Sequence, residues 1–504
     1  MISDSTRHEL VAFEDAIKKT SFGKFNFILM TLAGGLMTCA FIELTSVTFI
    51  LPIAQCDLNL TSGDKGILSA IGYVGVILSS FLWGFLADTT GRKKTLVPTL
   101  LVAFAATVAS SLANSFWLLV LLRFVNGFFI SCASSTTFAY LGEFHDQKNR
   151  GRVLMISSLL YASMNVLLPT FAILTLNQEW SFYIDFLGVN FKPWRLFLLI
   201  CGVPNLICAL LLIFVIPESP KFKFAQGDEP GTLEILQKMY NMNTGKHCST
   251  YEVKSLIKDE EFDDNERKKE HFFKFMWTQS VPLFKGHHLK NILTACFINF
   301  SVCNTSNGFW TFLTEILNKI SLWIDASNEP ATVCEIFHKS TVTRNQTQDV
   351  SICLQKLELS TFINVYEIAI GYAICYGIMS VLINRTGKLS LLLVVTITCG
   401  MSAALLMFVS IPWTLSYIYM YMILAGLGIS IVNASTVELF PTKMRAMAIC
   451  ISMMVGRLGS TVGSVVIGFF IDKYCTWTFL MPTFLLFASA ILACTIPNIS
   501  KRQK

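Results

Sequence analysis

GFLADTTGRKKTL, from Gly84 to Leu96, joins two long apolar runs through a short basic turn. Asp88 closes the first run and Gly91 permits a sharp reversal. Arg92, Lys93 and Lys94 supply the cations that collect on the cytoplasmic face of a membrane. In a water-soluble chain such a turn would carry little information, but here the runs on either side are long enough to cross a bilayer.

Composition agrees, because 53% of the 504 residues are hydrophobic and only 14% are charged, so the chain requires lipid as part of its solvent. A span needs roughly 20 apolar residues to cross about 30 Å of hydrocarbon. The hydropathy pattern predicts twelve such spans in an all-α membrane protein. An even number puts both termini on one side. Of the 39 Lys and Arg residues, 29 fall on that side, eight on the other and two inside spans, so both termini are expected to be cytoplasmic. The first 26 residues show no short apolar core with a small-residue cleavage site, so no removable signal is expected. Inner loops account for the net charge of +6 without a nucleic acid partner.

The predicted organisation is a cytoplasmic segment 1–26, a six-span bundle 27–216, a connector 217–290, a second six-span bundle 291–497 with an outer loop 318–360, and a tail 498–504. The connector's charge run KDEEFDDNERKKE (Lys258 to Glu270) reads as a solvated helix face. Landmarks repeat between the bundles. Gly91 and Gly387 are 296 positions apart, while the pairs Glu143/Glu438 and Arg150/Arg445 are each 295 apart. A common offset indicates an internal duplication, and parallel repeats of this kind hold a substrate between them near the bilayer midplane. The second copy is eroded: NRTGKL replaces the first turn's Asp88 and Arg92 with Asn384 and Lys388.

The ordered set of FEDAIKKTSFGKFNF (Phe13 to Phe27), the turn from Gly84, Arg123 with Gly127, YLGEF with NRGR (Tyr140 to Arg152), FKPWRLF, PESPKF (Pro217 to Phe222) and VELFPTKMRAMA (Val437 to Ala448) resembles the synaptic vesicle glycoprotein 2 family. That family lies in the sugar-porter and organic-ion branch of the major facilitator superfamily. The resemblance implies the major facilitator fold, two pseudo-symmetric six-helix bundles in which spans one, four, seven and ten line a central cavity. Two departures stand out: Ala40 occupies a position where members often carry an acid, and the large outer domain is cut to roughly 40 residues.

Charged side chains within spans are costly and mark functional candidates. Glu43 lies about 16 residues into span one and Arg123 about seven residues into span four from the opposite side, which places them at similar depth. They are expected to pair facing the cavity, either as a proton- or substrate-responsive couple or as a permanent structural ion pair. Further cavity candidates are Ser131 and Ser135 in span four, Asn304, Asn307 and Trp310 in span seven, and Tyr417, Tyr421 and Asn433 in span ten; each could instead serve helix packing. Asp88, Gly91, Arg92, Glu143, Arg150, Glu218, Glu438 and Arg445 map to cytoplasmic span ends as an expected inner gate. Glycosylation is expected at Asn345 and Asn59, and a disulfide between Cys334 and Cys353 in the outer loop.

No nucleotide loop, metal constellation or nucleophile triad occurs, so neither a cofactor nor an enzyme activity is expected. The expected function is alternating-access transport of a small polar organic solute, a sugar or organic ion by resemblance, either facilitative or coupled to a proton. A vesicle or surface protein that keeps the fold as receptor, scaffold or regulator is the alternative. The expected location is a multi-pass protein of the plasma membrane or an intracellular vesicle.

Overall fold

Lipid offers no partner for backbone N–H and C=O groups, so each apolar run must satisfy them within itself as a helix. In the computed structural model, residues 11–185, 188–257, 281–286, 288–326, 329–338, 357–440 and 442–495 are described. Among the described residues, eleven helices are long and apolar enough to cross a membrane. In order, spans one to six are Lys24–Ala54, Ser62–Thr90, Arg92–Ser111, Phe116–Glu143, Gln147–Met164 continued by Leu167–Thr175, and Pro193–Phe214. Spans eight, nine, eleven and twelve are Leu359–Thr386, Lys388–Leu405, Thr442–Phe470 and Cys475–Ala493.

The two remaining spans are irregular. Span seven is His288–Cys303, a π-helical turn at Asn304–Gly308, and then Leu313–Ala326. This break explains why eleven helices pass the length criterion where twelve spans are predicted. Span ten runs Pro412–Ile423, tightens to a 3-10 turn at Leu424–Gly426 and resumes at Leu427–Leu439.

The quoted turn folds as its residues dictate. Gly91 adopts φ +116°, which a side chain would resist. The repeat, Gly387, has φ +83°. The first turns of span three leave backbone N–H groups without helical partners. Glu218 of PESPKF reaches back to accept from the N–H groups of Lys93 (3.0 Å) and Lys94 (3.2 Å). FKPWRLF works similarly at the opposite end of the bundle: Lys192 and Trp194 both bond Asp57 beyond span one, and Arg195 donates to the carbonyls of Ser111 and Ala113 beyond span three. The segment from Phe13 packs on the terminal end, with Phe13 stacked on Phe224 at 5.2 Å and Tyr251 donating to the Ala16 carbonyl.

Cys334 is bonded to Cys475 at the start of span twelve. This corrects the expected Cys334–Cys353 pairing: the loop is stapled to the bundle rather than to itself. Cys353 and Asn345 lie outside the described residues, while Asn59 is exposed between spans one and two.

Candidate functional site

The expected pair between Glu43 and Arg123 forms, but as part of a larger network. Arg123 Nη1 stands 3.5 Å from Glu43 Oε2, and both side chains are almost wholly buried. Thr107 of span three donates to Glu43 at 2.8 Å, and Asn205 of span six donates to it at 2.5 Å. Ser110 accepts from Arg123 Nε, and Asn126 donates to Thr107. The four elements involved, spans one, three, four and six, belong to one bundle, and spans three and six are not among the four expected to line a central cavity. The pair therefore ties the first bundle together internally instead of facing the second, a correction to the expected cavity role. A buried pair lacking one partner leaves an uncompensated charge, so its members are held jointly.

Between the bundles lies an aromatic group that crosses the interface. Phe41 of span one contacts Tyr161 of span five and Trp310 of span seven, at 6.3 and 6.0 Å between ring centroids. Trp310 also meets Tyr372 at 6.2 Å, and Tyr372 stacks on Tyr376 at 6.2 Å. The Trp310 indole N–H is buried and has no hydrogen-bond partner. Arg457 of span eleven lies on the terminal side of this group and donates to Ser80 of span two and, at 3.4 Å, to Ser134 of span four.

Of the predicted cavity residues, Trp310 alone enters the aromatic group. Asn304 and Asn307 bond Gly459 and Ser460 of span eleven, and Asn299 bonds Asn433, so these amides knit the second bundle. Ser131 pairs with Ser79 within the first bundle, and Ser135 bonds back to its own helix. Tyr417 and Tyr421 are exposed, and the Tyr421 hydroxyl donates to Thr398 of span nine. Tyr419, on the opposite face, is the buried tyrosine and donates to the Phe309 carbonyl. Ser134 is among the polar span-four residues that residue type alone marks as lining candidates, whereas Tyr372, expected by residue type at the rim of span eight, stands in the aromatic group. Their inward direction is hidden in the sequence, because hydropathy around the helix is nearly uniform and does not mark a cavity face.

On the side away from the termini the halves are joined. Lys65 of span two meets Glu315 of span seven at 2.5 Å, Ser62 donates to Asp472, and the Thr170 and Tyr366 hydroxyls lie 2.8 Å apart. Gly66 and Gly468 bring the backbones together there; a Cβ built at Gly468 would stand 2.5 Å from the Gly66 Cα. Lys65, four residues into its helix, was readable as a polar flank and gave no sign of its partner. The expected inner gate behaves differently. Arg92 bridges Asp88 and Glu143, Glu218 caps span three, and Arg150 meets Glu14 at 3.6 Å and the Gly142 carbonyl. All of these contacts lie within the first half, and the side chains of Glu438 and Arg445 lie outside the described residues.

A family model described as Major Facilitator Superfamily matches residues 33–325 and 347–504. The chain is 30% identical over 245 residues to synaptic vesicle glycoprotein 2A of Pongo abelii, covering 47% of this chain and 32% of that protein. It is 30% identical over 241 residues to synaptic vesicle glycoprotein 2B of Homo sapiens, covering 46% and 34%. It thus spans about a third of the length of these curated relatives. The fold is similar to the partially occluded inward-open conformation of the xylose transporter XylE from E. coli, with TM-score 0.63 and 13% identity over 94% of this chain and 100% of that one. The proton:xylose symporter XylE bound to 6-bromo-6-deoxy-D-glucose matches with TM-score 0.56 and 15% identity over 94% and 95%. At such identities the likeness establishes architecture alone.

Proposed function

This chain belongs to the Major Facilitator Superfamily, and from that premise we propose that it moves a small polar organic solute across a bilayer by alternating access. The observation that carries this reading is the arrangement between the halves: a polar and aromatic interior, sealed on one side by the Lys65–Glu315 bridge. An ion pair that joins rocking bodies must part when they open, and it biases the equilibrium only by its differential strength in the two states. The terminal side is proposed to be cytoplasmic on the distribution of Lys and Arg, so the sealed side faces outward or into a vesicle lumen. The Arg92–Glu143–Asp88 clamp and the Glu218 cap keep the first bundle rigid while it rocks.

Proton coupling is the finer proposal. Glu43 is the carboxylate on which spans one, three, four and six converge, so a change in its protonation would alter the contacts of four helices at once. Purified protein in liposomes tests both points. Uptake of a member of a panel of sugars, amines and carboxylates supports transport, and a pH dependence of that uptake removed by Glu43→Gln supports coupling. No flux for any member of the panel contradicts transport, and a pH dependence intact in Glu43→Gln contradicts the role of that residue.

A further inference from the structure

Cations inside the spans are costly, and several of those among the described residues are provided for by one of two routes. Arg123 has Glu43, Lys65 has Glu315, and Arg92 has Glu143 and Asp88. Arg195, at the outer end of span six, has three backbone carbonyls to accept from its guanidinium. Arg457 has neither. Its hydrogen bonds go to the hydroxyls of Ser80 and Ser134. Among the described residues no carboxylate pairs with it. A guanidinium carries five N–H donors in a planar fork, and two hydroxyls leave its charge uncompensated.

The position is as informative as the charge. Span eleven belongs to the second half, whereas Ser80 and Ser134 belong to the first, so Arg457 is held across the surface on which the halves move. Gly456 packs against the Cys303 sulfur, which sets Arg457 about seven residues, roughly 10 Å along the axis of span seven, below Trp310. Between these levels stand the aromatic group and the unpartnered Trp310 N–H.

We propose that Arg457 receives the carboxylate of a small organic anion whose apolar or aromatic body lies against Phe41, Tyr161, Trp310 and Tyr372, with the Trp310 N–H donating to an acceptor at its far end. This rests on the transport reading and names the substrate class for it. The anion neutralises an interior cation that has no carboxylate partner among the described residues, through charge-assisted bonds that a planar fork makes two at a time. Because those bonds compete with Ser80 and Ser134, occupancy changes what ties the halves together, which is the differential contact that alternating access requires. A cationic solute would meet like charge at the same place.

Three probes of one shape test the assignment: phenylacetate, phenylacetamide and phenethylammonium, titrated against the full-length protein in detergent, with melting temperature recorded for every variant. Phenylacetate is expected to bind about tenfold or more tighter than the amide, the difference one charge-assisted contact supplies, and the amine is expected not to bind. Arg457→Gln should erase the preference for the acid. Arg457→Lys, which keeps the charge and loses the fork, should weaken the acid several-fold and stands in if the Gln variant melts early. 4-Hydroxyphenylacetate, which adds an acceptor at the far end, should bind tighter than phenylacetate, and Trp310→Phe should erase that gain while leaving the charge preference intact. Equal affinity for acid and amide, undiminished acid binding in Arg457→Lys or in a folded Arg457→Gln, or saturation by chloride with no binding of phenylacetate would each overturn the proposal. Phenylacetate bound at Arg457 with no flux into liposomes for it or for any member of the solute panel would sink the transport reading and leave the anion site. A neutral solute carried with no response to Arg457→Gln would do the reverse.

Discussion

The turn between spans two and three and its repeat between spans eight and nine share a backbone and differ in side chains. Both place glycine at positive φ, +116° at Gly91 and +83° at Gly387. The first is then clamped by Arg92 to two carboxylates, whereas in the second Lys388 donates to the Ala434 carbonyl. The same contrast runs through the spans. In the first half spans one and four are continuous helices joined by a buried ion pair, while spans seven and ten of the second half break at Asn304–Gly308 and Leu424–Gly426 and are knit by amides and hydroxyls. Duplication preserved the glycine that the backbone needs for the reversal, while Asp88 and Arg92 of the first turn became Asn384 and Lys388 in the second. We propose on this basis that the first half is the stiffer body and the second the more pliable one, the irregular turns of spans seven and ten lying near the depth of the aromatic group.

The sharpest way to break that contrast is to remove one polar partner from each half. Arg123→Leu strands Glu43 in the interior and is expected to cost about 3–5 kcal/mol, whereas Asn304→Leu removes one interhelical hydrogen bond and should cost about 1 kcal/mol. Melting of the purified protein reads both, and equal losses would show that the halves are held alike. A smaller contrast is expected at the paired turns. An alanine Cβ at Gly91 would lie 2.6 Å from Glu218 Oε2, while at Gly387 nothing among the described residues stands within 4 Å. With positive φ strained in both, Gly91→Ala should cost about 2–3 kcal/mol and Gly387→Ala about 1 kcal/mol.

The smallest effect concerns the terminal end of the first half. The Asn26 amide bonds His145 Nε2 at 2.8 Å, and His145 Nδ1 faces the Leu141 carbonyl at 2.8 Å, an arrangement suited to the neutral ring. Burial holds this histidine below its ordinary value. Its folded pKa is depressed, so the contribution to stability is present above about pH 6.5 and is lost as pH falls below that. Hydrogen exchange around residues 13–27 is expected to quicken on acidification, and His145→Gln should remove the pH response. A response unchanged in that variant would exclude His145 as its origin.

Length and hydropathy made the spans legible, and a constant offset made the duplication legible, because both depend on residue type alone. The depth match that paired Glu43 with Arg123 used only helical rise. What the sequence left hidden was direction around each helix: the same pair faces spans three and six, and Tyr419 rather than Tyr417 or Tyr421 turns inward. In a uniformly apolar helix no hydrophobic face distinguishes cavity from neighbour. Partners distant in the chain were equally hidden, as with Cys475 for Cys334, Glu315 for Lys65 and Ser80 for Arg457. The breaks in spans seven and ten arise from tertiary packing and leave no proline or charge to announce them.

Alternating access requires reciprocal motion of the two halves, and distances between spin labels measure it directly. Gln178 and Lys473 are exposed on the sealed side of the two halves, and Lys148 and Thr386 are exposed on the terminal side. Breaking the seal with Lys65→Ala in reconstituted protein is predicted to lengthen the Gln178–Lys473 distance while shortening Lys148–Thr386. Distances that stay fixed, or that lengthen on both sides together, would contradict alternating access.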